Sequence, residues 1–246
     1  MDTDTLVLAS DSSRGPTWVP EEQYRRLPWD CEGDFIQCIA GLLEGERLNR
    51  TTIINSLILQ YNYQSYLEIG LGSGCNYQDV RCDDKTGVDP TPPPRHAMTG
   101  SIHATTSDEF FAVNERCFDI VFIDGLHHAD QVYRDIENSL LWLSEGGIIV
   151  CHDMMPVTEL QQRVPRETKA WTGDCWRALV RARGNREIEV CVVDTDWGCG
   201  LIKPAEQPVF QPKEELAFEN FQRCKHAWLN VISVAEFKIR YLLSQN

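Results

Sequence analysis

Short runs rich in apolar and β-branched residues recur along the chain, and each is followed by a stretch with helical periodicity. The runs predict strands at 66–69, 85–88, 102–105, 118–124, 148–151, 187–193 and 198–203. Between them, apolar residues spaced by three or four predict helices, most clearly Val132, Ile136, Leu140 and Leu143 before Gly146-Gly147. This alternation is typical of a parallel sheet with helices on both faces.

The two ends of the chain follow other patterns. Residues 1–30 are polar and contain proline, which predicts an irregular surface arm. Two helices follow; the second carries Ile53, Ile54, Leu57 and Ile58 and is capped by Thr51 or Thr52. The first has its apolar face at Phe35, Ile36, Ile39, Leu42 and Leu43. These helices either cover a ligand or only pack on the sheet edge.

Helical periodicity returns at 213–244. We therefore divide the chain into an N-terminal arm and cap helix (1–50), a ligand-binding domain (51–205) and a C-terminal helical extension (206–246). The extension either reaches a partner subunit or wraps the core of its own chain. At this length, one domain with additions is the natural expectation.

The segment from Tyr66 to Asp89 carries the strongest chemical signal. Glu68 lies near the end of a predicted strand, and glycines follow at every second position: Gly70, Gly72 and Gly74. Such glycines permit a tight turn with positive φ and let a ligand approach the backbone. A helix beginning near Cys75 would point free N–H groups at that ligand. Asp89 ends the next strand, where a carboxylate can accept hydrogen bonds from a ribose diol. The alternative is a purely structural strand-to-helix turn.

Acidic and histidine side chains follow the other predicted strands. Asp124 ends the clearest strand, FDIVFID, and His127 lies in the turn after it; His152 and Asp153 follow the run at 148–151. In parallel sheets, ligands bind beyond the carboxyl ends of the strands. We therefore expect five residues to converge there: Glu68, Asp89, Asp124, His152 and Asp153.

Charge and cysteine usage narrow the function classes. Asp plus Glu number 37 against 23 Lys plus Arg, a net charge of −14, which disfavours a nucleic-acid partner. No apolar stretch is long enough to span a bilayer, and no basic region followed by an apolar run suggests a secretory signal. The 10 cysteines include no C-x-x-C pair, which argues against a zinc site and favours reduced thiols in a cytoplasmic protein.

The glycine loop, E-x-G-x-G-x-G, differs from the G-x-G-x-x-G of dinucleotide folds and resembles the first motif of class I S-adenosylmethionine-dependent methyltransferases. The stretch FDIVFIDGLHHADQVYRDIENSLLWLSEGGIIVCHDMMP is similar to the group that includes macrocin O-methyltransferase-like small-molecule enzymes. The resemblance spans residues 50–205. It implies a Rossmann-like α/β fold with a seven-stranded, mostly parallel sheet and a C-terminal antiparallel strand. It also implies methylation of an oxygen on a sugar-like or secondary-metabolite acceptor.

The resemblance implies a set of cofactor-binding residues: Glu68, Gly70, Gly72, Gly74, Asp89, Ser107, Asp108 and Asp124. Asp108 would accept from the adenine amino group; Ser107 or Asp108 could instead cap a helix. In metal-dependent relatives such as catechol O-methyltransferase, an acid after the fourth strand and a pair after the fifth bind magnesium. Asp124 and the His152-Asp153 pair match these positions, although histidine is a poor ligand for Mg²⁺, so Mg²⁺ or another divalent ion stays an open expectation.

Histidine suits a second task, because a base with a pKa near the working pH can take the proton of an acceptor hydroxyl. The catalytic candidates are His127, His152 and Asp124; His128 is interpreted as a capping or surface residue. Trp171 and Trp176 either line an acceptor pocket or pack a helix onto the sheet. The expected partner is a small-molecule acceptor, and a homo-oligomer is left open by the two roles considered for the C-terminal extension. Two other functions fit a similar fold: an NAD(P)-dependent oxidoreductase and a non-catalytic cofactor-binding protein.

Overall fold

The N-terminal part of the computed structural model contains a two-stranded antiparallel sheet. The structure describes residues 6–11, 14–20, 48–94 and 98–243, and it divides into two compact units, 1–49 and 50–246. Strands β1 (Leu6–Asp11) and β2 (Arg14–Pro20) pair with Leu6 opposite Pro20. The irregular arm predicted for 1–30 is therefore wrong over these strands, because their apolar and β-branched residues favour extended backbone. The helix predicted around Phe35–Leu43 lies outside the described residues.

The second unit is built on one eight-stranded sheet. Its strands are β3 (Ser65–Ile69), β4 (Asp84–Val88), β5 (Ser101–His103), β6 (Phe118–Ile123), β7 (Leu143–Cys151), β8 (Ile188–Val193), β9 (Cys199–Pro204) and β10 (Val231–Ile232). They lie in the order β10-β8-β9-β7-β6-β3-β4-β5, and β9 is antiparallel to both neighbours while the other pairs are parallel. The predicted Rossmann-like sheet with one antiparallel strand is confirmed. The two-residue β10 is an addition to the seven predicted strands.

Eight helices accompany the sheet in the described residues: α1 (Arg50–Tyr61), α2 (Cys75–Asp79), α3 (Ser107–Val113), α4 (Ala129–Leu141), α5 (Glu159–Gln162), α6 (Trp176–Ala182), α7 (Phe218–Leu229) and α8 (Val234–Phe237). A π-helical segment, Lys238–Leu243, follows α8. In the described part of the chain, none of these helices is both long and apolar enough to cross a membrane.

Both faces of the sheet are covered. Leu67 and Val121 pack into one core with residues of α4, α6 and α7. Residues of the opposite pleat are equally buried, and Tyr66 meets Tyr77 of α2 at a ring distance of 6.3 Å, while the Cys191 thiol lies 3.3 Å from the Tyr241 hydroxyl. This is the arrangement that the alternation of strands and helices predicted.

Trp176 belongs to the core. It is 0% exposed, its ring lies 4.4 Å from Phe221 and 5.9 Å from Trp228, and its indole Nε1 donates to Gln162. Of the two roles considered for this tryptophan, the structure therefore supports packing of α6 onto the sheet and not lining of a pocket.

Several predicted helix ends are wrong, because partners from elsewhere in the chain decide them. Thr106, and not Ser107 or Asp108, caps α3 through a capping box with Glu109. Helix α1 already begins at Arg50, and the hydroxyl of Thr51 donates to Asn76 instead of capping.

Helix α6 begins at Trp176, and Asp174, which precedes it, accepts from the backbone N–H of Ala129 at the start of α4 and does not cap α6. Helix α4 itself ends at Leu141, and β7 begins at Leu143, well before the predicted Gly146-Gly147 break, because Leu143 pairs with Phe118 of β6. The long C-terminal helix is interrupted at Asn230, which adopts a left-handed φ of 50°.

The strand register aligns four residues at the carboxyl edge of the sheet. Ile69 lies opposite both Val88 and Ile123, and Ile123 lies opposite Cys151. The residues that follow these strands therefore lie side by side: Gly70, Asp89, Asp124 and His152. Backbone hydrogen bonds continue across this row, from Gly70 N to Val88 O at 2.8 Å and from Asp124 N to Ile69 O at 2.8 Å. We call this row the strand-end ledge.

Candidate functional site

The glycine loop follows β3 and begins on the strand-end ledge. Gly70, Gly72 and Gly74 have φ values of 88°, 49° and 80°, in the left-handed region that favours glycine. A Cβ on Gly70 would lie 2.2 Å from the carbonyl oxygen of Asp124, so packing of the ledge requires glycine there. A Cβ on Gly72 would meet nothing within 4 Å. Gly72 therefore borders open space that a ligand can occupy.

Asp89 fixes the glycine loop in place. Its Oδ2 accepts hydrogen bonds from Leu71 N at 2.9 Å and Gly72 N at 3.3 Å, and its Oδ1 accepts from Thr91 N at 2.8 Å. The carboxylate is half-buried at the tip of β4. A carboxylate oxygen accepts about two hydrogen bonds, so the loop fills Oδ2, and Oδ1 can take a ligand hydroxyl in place of its long 3.4 Å contact with the Thr91 hydroxyl.

Glu68 lies beneath the loop and is 1% exposed. Its carboxyl group contacts the Tyr66 hydroxyl and accepts from Asn76 Nδ2 at 2.9 Å. Burial raises the pKa of Glu68 from 4.5 to about 8, although the hydrogen bonds from Tyr66 and Asn76 lower it. At neutral pH the group is therefore largely protonated, and it anchors the first turn of α2.

Ser107 and Asp108 are drawn towards α4. The side-chain amide of Gln131 lies 3.2 Å from Ser107 Oγ, 3.1 Å from Asp108 Oδ1 and 3.0 Å from Asp135 Oδ1. Asp108 is exposed and also lies 3.7 Å from Arg134 Nε. These contacts fix the start of α3 against α4 beyond the carboxyl end of β5, and a role in adenine binding stays a prediction for both residues.

Four titratable side chains meet above β6 and β7. His127 Nε2 lies 3.3 Å from Asp124 Oδ1, and His127 Nδ1 lies 3.3 Å from Asp153 Oδ2. His152 Nδ1 lies 3.5 Å from Asp124 Oδ1 and 3.4 Å from Asp153 Oδ1. The structure thus brings the two histidines and the two acids into a single group, which we call the acid–histidine cluster (Asp124, His127, His152 and Asp153).

Sequence reasoning missed two residues beside this cluster, Arg50 and Asp196. Asp196 Oδ2 accepts from Arg50 N at 2.9 Å and from Arg50 Nη1 at 3.2 Å, and it lies 3.4 Å from His152 Nε2. Arg50 Nη1 is itself 3.1 Å from His152 Nε2. A signal for Asp196 existed, because it follows β8, whose carboxyl end lies at the same edge of the sheet. Arg50 precedes the first strand of the sheet and carried no such signal.

The turn after β8 aims Asp196 at the cluster by using unusual backbone angles. Asp196 and Trp197 have left-handed φ values of 45° and 63°, and Gly198 follows at 88°. Asp153, at the end of β7, is also left-handed at 62°. Such angles are uncommon for residues other than glycine and are concentrated at functional sites.

The charges of the cluster compensate one another in a buried setting. Burial alone would raise the pKa of Asp124, but His152, His127 and Arg50 hold it well below its usual range. Burial lowers the pKa of His152, yet Asp153, Asp124 and Asp196 raise it from 6.5 to about 10. The pKa of His127 is likewise raised, since Asp124 and Asp153 outweigh its burial.

The cluster offers the donor atoms of a divalent metal site. Asp124 Oδ1, His127 Nδ1 and His152 Nδ1 are buried; among the described residues they have ion-pair neighbours at 3.3–3.5 Å but no contact with hydrogen-bond geometry. Ligand atoms of Asp124, His152 and Asp153 all lie within 4.8 Å of one another. Buried polar atoms without a hydrogen bond call for an explanation, and a cation supplies one. A set with an imidazole nitrogen fits Mn²⁺, Fe²⁺ or Zn²⁺ better than Mg²⁺.

Trp171 covers one side of the cluster. Its ring stacks on His127 with centroids 5.1 Å apart and an interplanar angle of 19°, and its Nε1 donates to Arg163 O at 2.6 Å. A Cβ on Gly173 would lie 1.9 Å from His127 O. The segment between α5 and α6 can therefore approach the turn that carries His127 only because residue 173 is glycine. Trp171, unlike Trp176, therefore borders the site.

Comparison with known proteins places this site in context. Residues 67–154, from β3 to just beyond β7, match the profile of the family described as "Methyltransferase domain". A comparison with curated proteins finds no match.

Two solved structures share the fold. The SAH-bound methyltransferase PaMTH1 from Podospora anserina is 18% identical, with 76% of this chain and 89% of that chain covered and a TM-score of 0.52. Cofactor-bound Rv0187 from MTB is 13% identical, with 70% and 88% covered and a TM-score of 0.51. The stretch that matches the family profile, residues 67–154, contains the glycine loop and the acid–histidine cluster.

The protonation of Glu68 generates a testable prediction. Because its folded pKa is about 8 against 4.5 for the free group, the folded chain holds a proton that the unfolded chain releases between these values. The contribution of this proton to stability is complete below pH 4.5 and is lost as the pH rises through 8. We expect Glu68→Gln to lack this pH-dependent component. Urea unfolding across this range should show the variant gaining stability relative to the parent as pH rises.

The exposed Glu145→Gln is the control, and it should leave the pH dependence of the parent unchanged. Parallel stability curves for the parent and Glu68→Gln would show that Glu68 is ionised in the folded protein.

Proposed function

We propose that the chain is a class I S-adenosylmethionine-dependent methyltransferase and that it methylates an oxygen of a small acceptor. The observation that carries the proposal is the position of the acid–histidine cluster, on the strand-end ledge directly beside the glycine loop. The glycine loop can hold the cofactor while the acid–histidine cluster binds the hydroxyl group of the acceptor. The NAD(P)-dependent and non-catalytic alternatives have no observation in their favour.

We assign cofactor binding to the glycine loop and the neighbouring strand ends. The open space at Gly72 and the lone pairs of Asp89 support cofactor binding at the glycine loop. Ser107, Asp108 and Asp124 complete the proposed set further along the edge. Glu68 acts through Asn76 and the start of α2, since its buried carboxyl group is held by chain contacts.

Methyl transfer needs the acceptor oxygen to be placed and relieved of its proton. When bound, S-adenosylmethionine supplies the electrophilic methyl group; its C–S bond breaks as the new C–O bond forms. His127 is the proposed base, because its imidazole lies at the partly exposed side of the cluster, whereas His152 is 5% exposed. Asp124 and Asp153 each lie 3.3 Å from one ring nitrogen of His127; the acceptor hydroxyl would take the place of one of these contacts, and the other carboxylate would stabilise the imidazolium that forms. Placement of the acceptor contributes the rest of the rate.

We further propose that Asp124, His152 and Asp153 hold a divalent ion. The buried Asp124 Oδ1 and His152 Nδ1, which lack a hydrogen bond among the described residues, and the mutual distances of the three side chains support this assignment. Such an ion would polarise the acceptor hydroxyl. Arg50 and Asp196, on the far side of His152, keep its ring in place.

Substitution of Gly72 tests the cofactor site. We expect Gly72→Val to weaken S-adenosylhomocysteine binding at least about tenfold, because the new side chain fills the open space beside the loop. The matched control is Gly146→Val, since Gly146 also has a positive φ of 76° and open space around its missing Cβ. Calorimetric titration of both variants measures the effect. Equal binding by parent and Gly72→Val would place the cofactor elsewhere.

Replacement of His127 tests the base. His127→Ala should lower turnover on the order of a hundredfold in a methyl-transfer assay over a panel of sugars and phenols, with S-adenosylhomocysteine affinity unchanged. His127→Gln, which retains more of the side chain over Trp171, should be equally slow. His128→Ala serves as the neighbouring control. Near-parent turnover in both His127 variants would rule His127 out as the base.

Metal binding can be measured without the acceptor. After chelation, the protein should bind Mn²⁺ in a calorimetric titration, and Asp153→Asn should weaken this binding at least about tenfold. Asp194→Asn, an exposed change near the same edge, should bind as the parent does. If the chelated parent takes up none of Mn²⁺, Zn²⁺ and Mg²⁺ and keeps its methyl-transfer rate, the metal proposal fails.

A further inference from the structure

A groove of about 720 Å³ opens beside the histidine turn. Leu126 and His128, the sequence neighbours of His127, line it together with residues of α4 and α6 and the segment 210–216. Its volume is in the range of small-molecule pockets. The His127 imidazole itself contacts Asp124, Asp153 and Trp171, so the groove runs beside the turn that carries the proposed base and does not include the base.

Three arginines line the groove, although the chain as a whole is strongly negative. Arg134 of α4 and Arg177 and Arg181 of α6 line it, whereas the whole chain has a net charge of −14. Two acids also border it, and each forms an ion pair with one arginine: Asp174 with Arg177 and Asp130 with Arg181. Asp174 already accepts from Ala129 N, and Asp130 has a 91% exposed side chain that lies 4.0 Å from Arg181 Nη1.

Arg177 and Arg181 keep hydrogen-bond donors for a ligand. Arg177 contacts Asp174 through Nη1, at 3.4 Å, so one oxygen of the acid engages one of its two terminal nitrogens. The guanidinium of Arg181 is centred 3.7 Å from the ring of Tyr133, which holds it in a fixed orientation. Separated by four residues on one helix, the two side chains lie on the same face. Paired guanidinium groups of this kind bind phosphate and carboxylate oxygens.

The apolar lining near the histidine turn completes the site. Leu126 and Val164 are 54% and 42% exposed within the groove lining. We propose that the groove binds the non-reacting part of the acceptor, and that this part carries a phosphate or carboxylate group held by Arg177 and Arg181. The inference rests on the proposed function, since it takes the hydroxyl at His127 to be the one methylated.

Direct binding tests the groove independently of catalysis. Glucose 6-phosphate and glucuronate are the anionic probes, and methyl glucoside is the neutral match. Calorimetry at low salt should show that the parent binds at least one anion more tightly than methyl glucoside. The double variant Arg177→Gln/Arg181→Gln should lose about tenfold or more of that affinity. The control Arg116→Gln/Arg223→Gln removes the same number of charges from other exposed positions. It should change the affinity for the anion by less than about twofold.

The binding results distinguish a phosphate from a carboxylate ligand, and they distinguish the groove assignment from the proposed methyl transfer. Selective loss of glucose 6-phosphate binding assigns a phosphate-bearing acceptor, and selective loss of glucuronate binding assigns a carboxylate. For a methylated anionic acceptor, KM should rise about tenfold in the groove variant with kcat little changed. Equal binding of the anions and methyl glucoside by the parent, or unchanged anion binding in the groove variant, would overturn the inference. Failure of methyl transfer alongside intact anion binding would contradict the proposed function and leave the groove assignment standing.

Discussion

The in-register pairing of four parallel strands is the constraint on which the site depends. Ile69, Val88, Ile123 and Cys151 lie level, so the next residue of every strand falls on the strand-end ledge. The pairing leaves no room for a side chain at Gly70, whose Cβ would lie 2.2 Å from the Asp124 carbonyl oxygen. A single shift of register would send these side chains to the opposite face of the sheet. The chemistry therefore depends on the sheet before it depends on any one residue.

Ion pairs then hold segments that are distant in sequence against the strand-end ledge. Asp124, Asp153 and Asp196 share a buried region with Arg50 and two imidazoles. Removing charges from water is costly, and such a group is stable only when the partners are all present. This requirement explains why the first turn of α1 and the turn between β8 and β9 both reach His152. The proposed cation would add to this balance, and its binding would then be coupled to the packing of these turns.

Periodicity predicted most of the sheet and the strand-end residues, because a buried strand leaves an apolar run and its end is marked by the first acid or glycine. Asp89, Asp124, His152 and Asp153 were found in this way. Features that depend on distant contacts were not. Thr106 caps α3 in place of Ser107 or Asp108. Asp174, which precedes α6, bonds instead to the first backbone N–H of α4. Arg50 contacts Asp196 although the two are 146 positions apart in sequence. The two-residue β10 is too short to leave a periodic signal.

The central claim is that the strand-end ledge is the place of methyl transfer. A crystal structure with S-adenosylhomocysteine, in which anomalous scattering locates the sulfur, tests it most directly. The account predicts a sulfur peak above the ledge, between the glycine loop and His127, with the amino-acid end of the ligand over Gly72. A sulfur peak away from the ledge, on the other side of the glycine loop from Asp124 and His127, would contradict it.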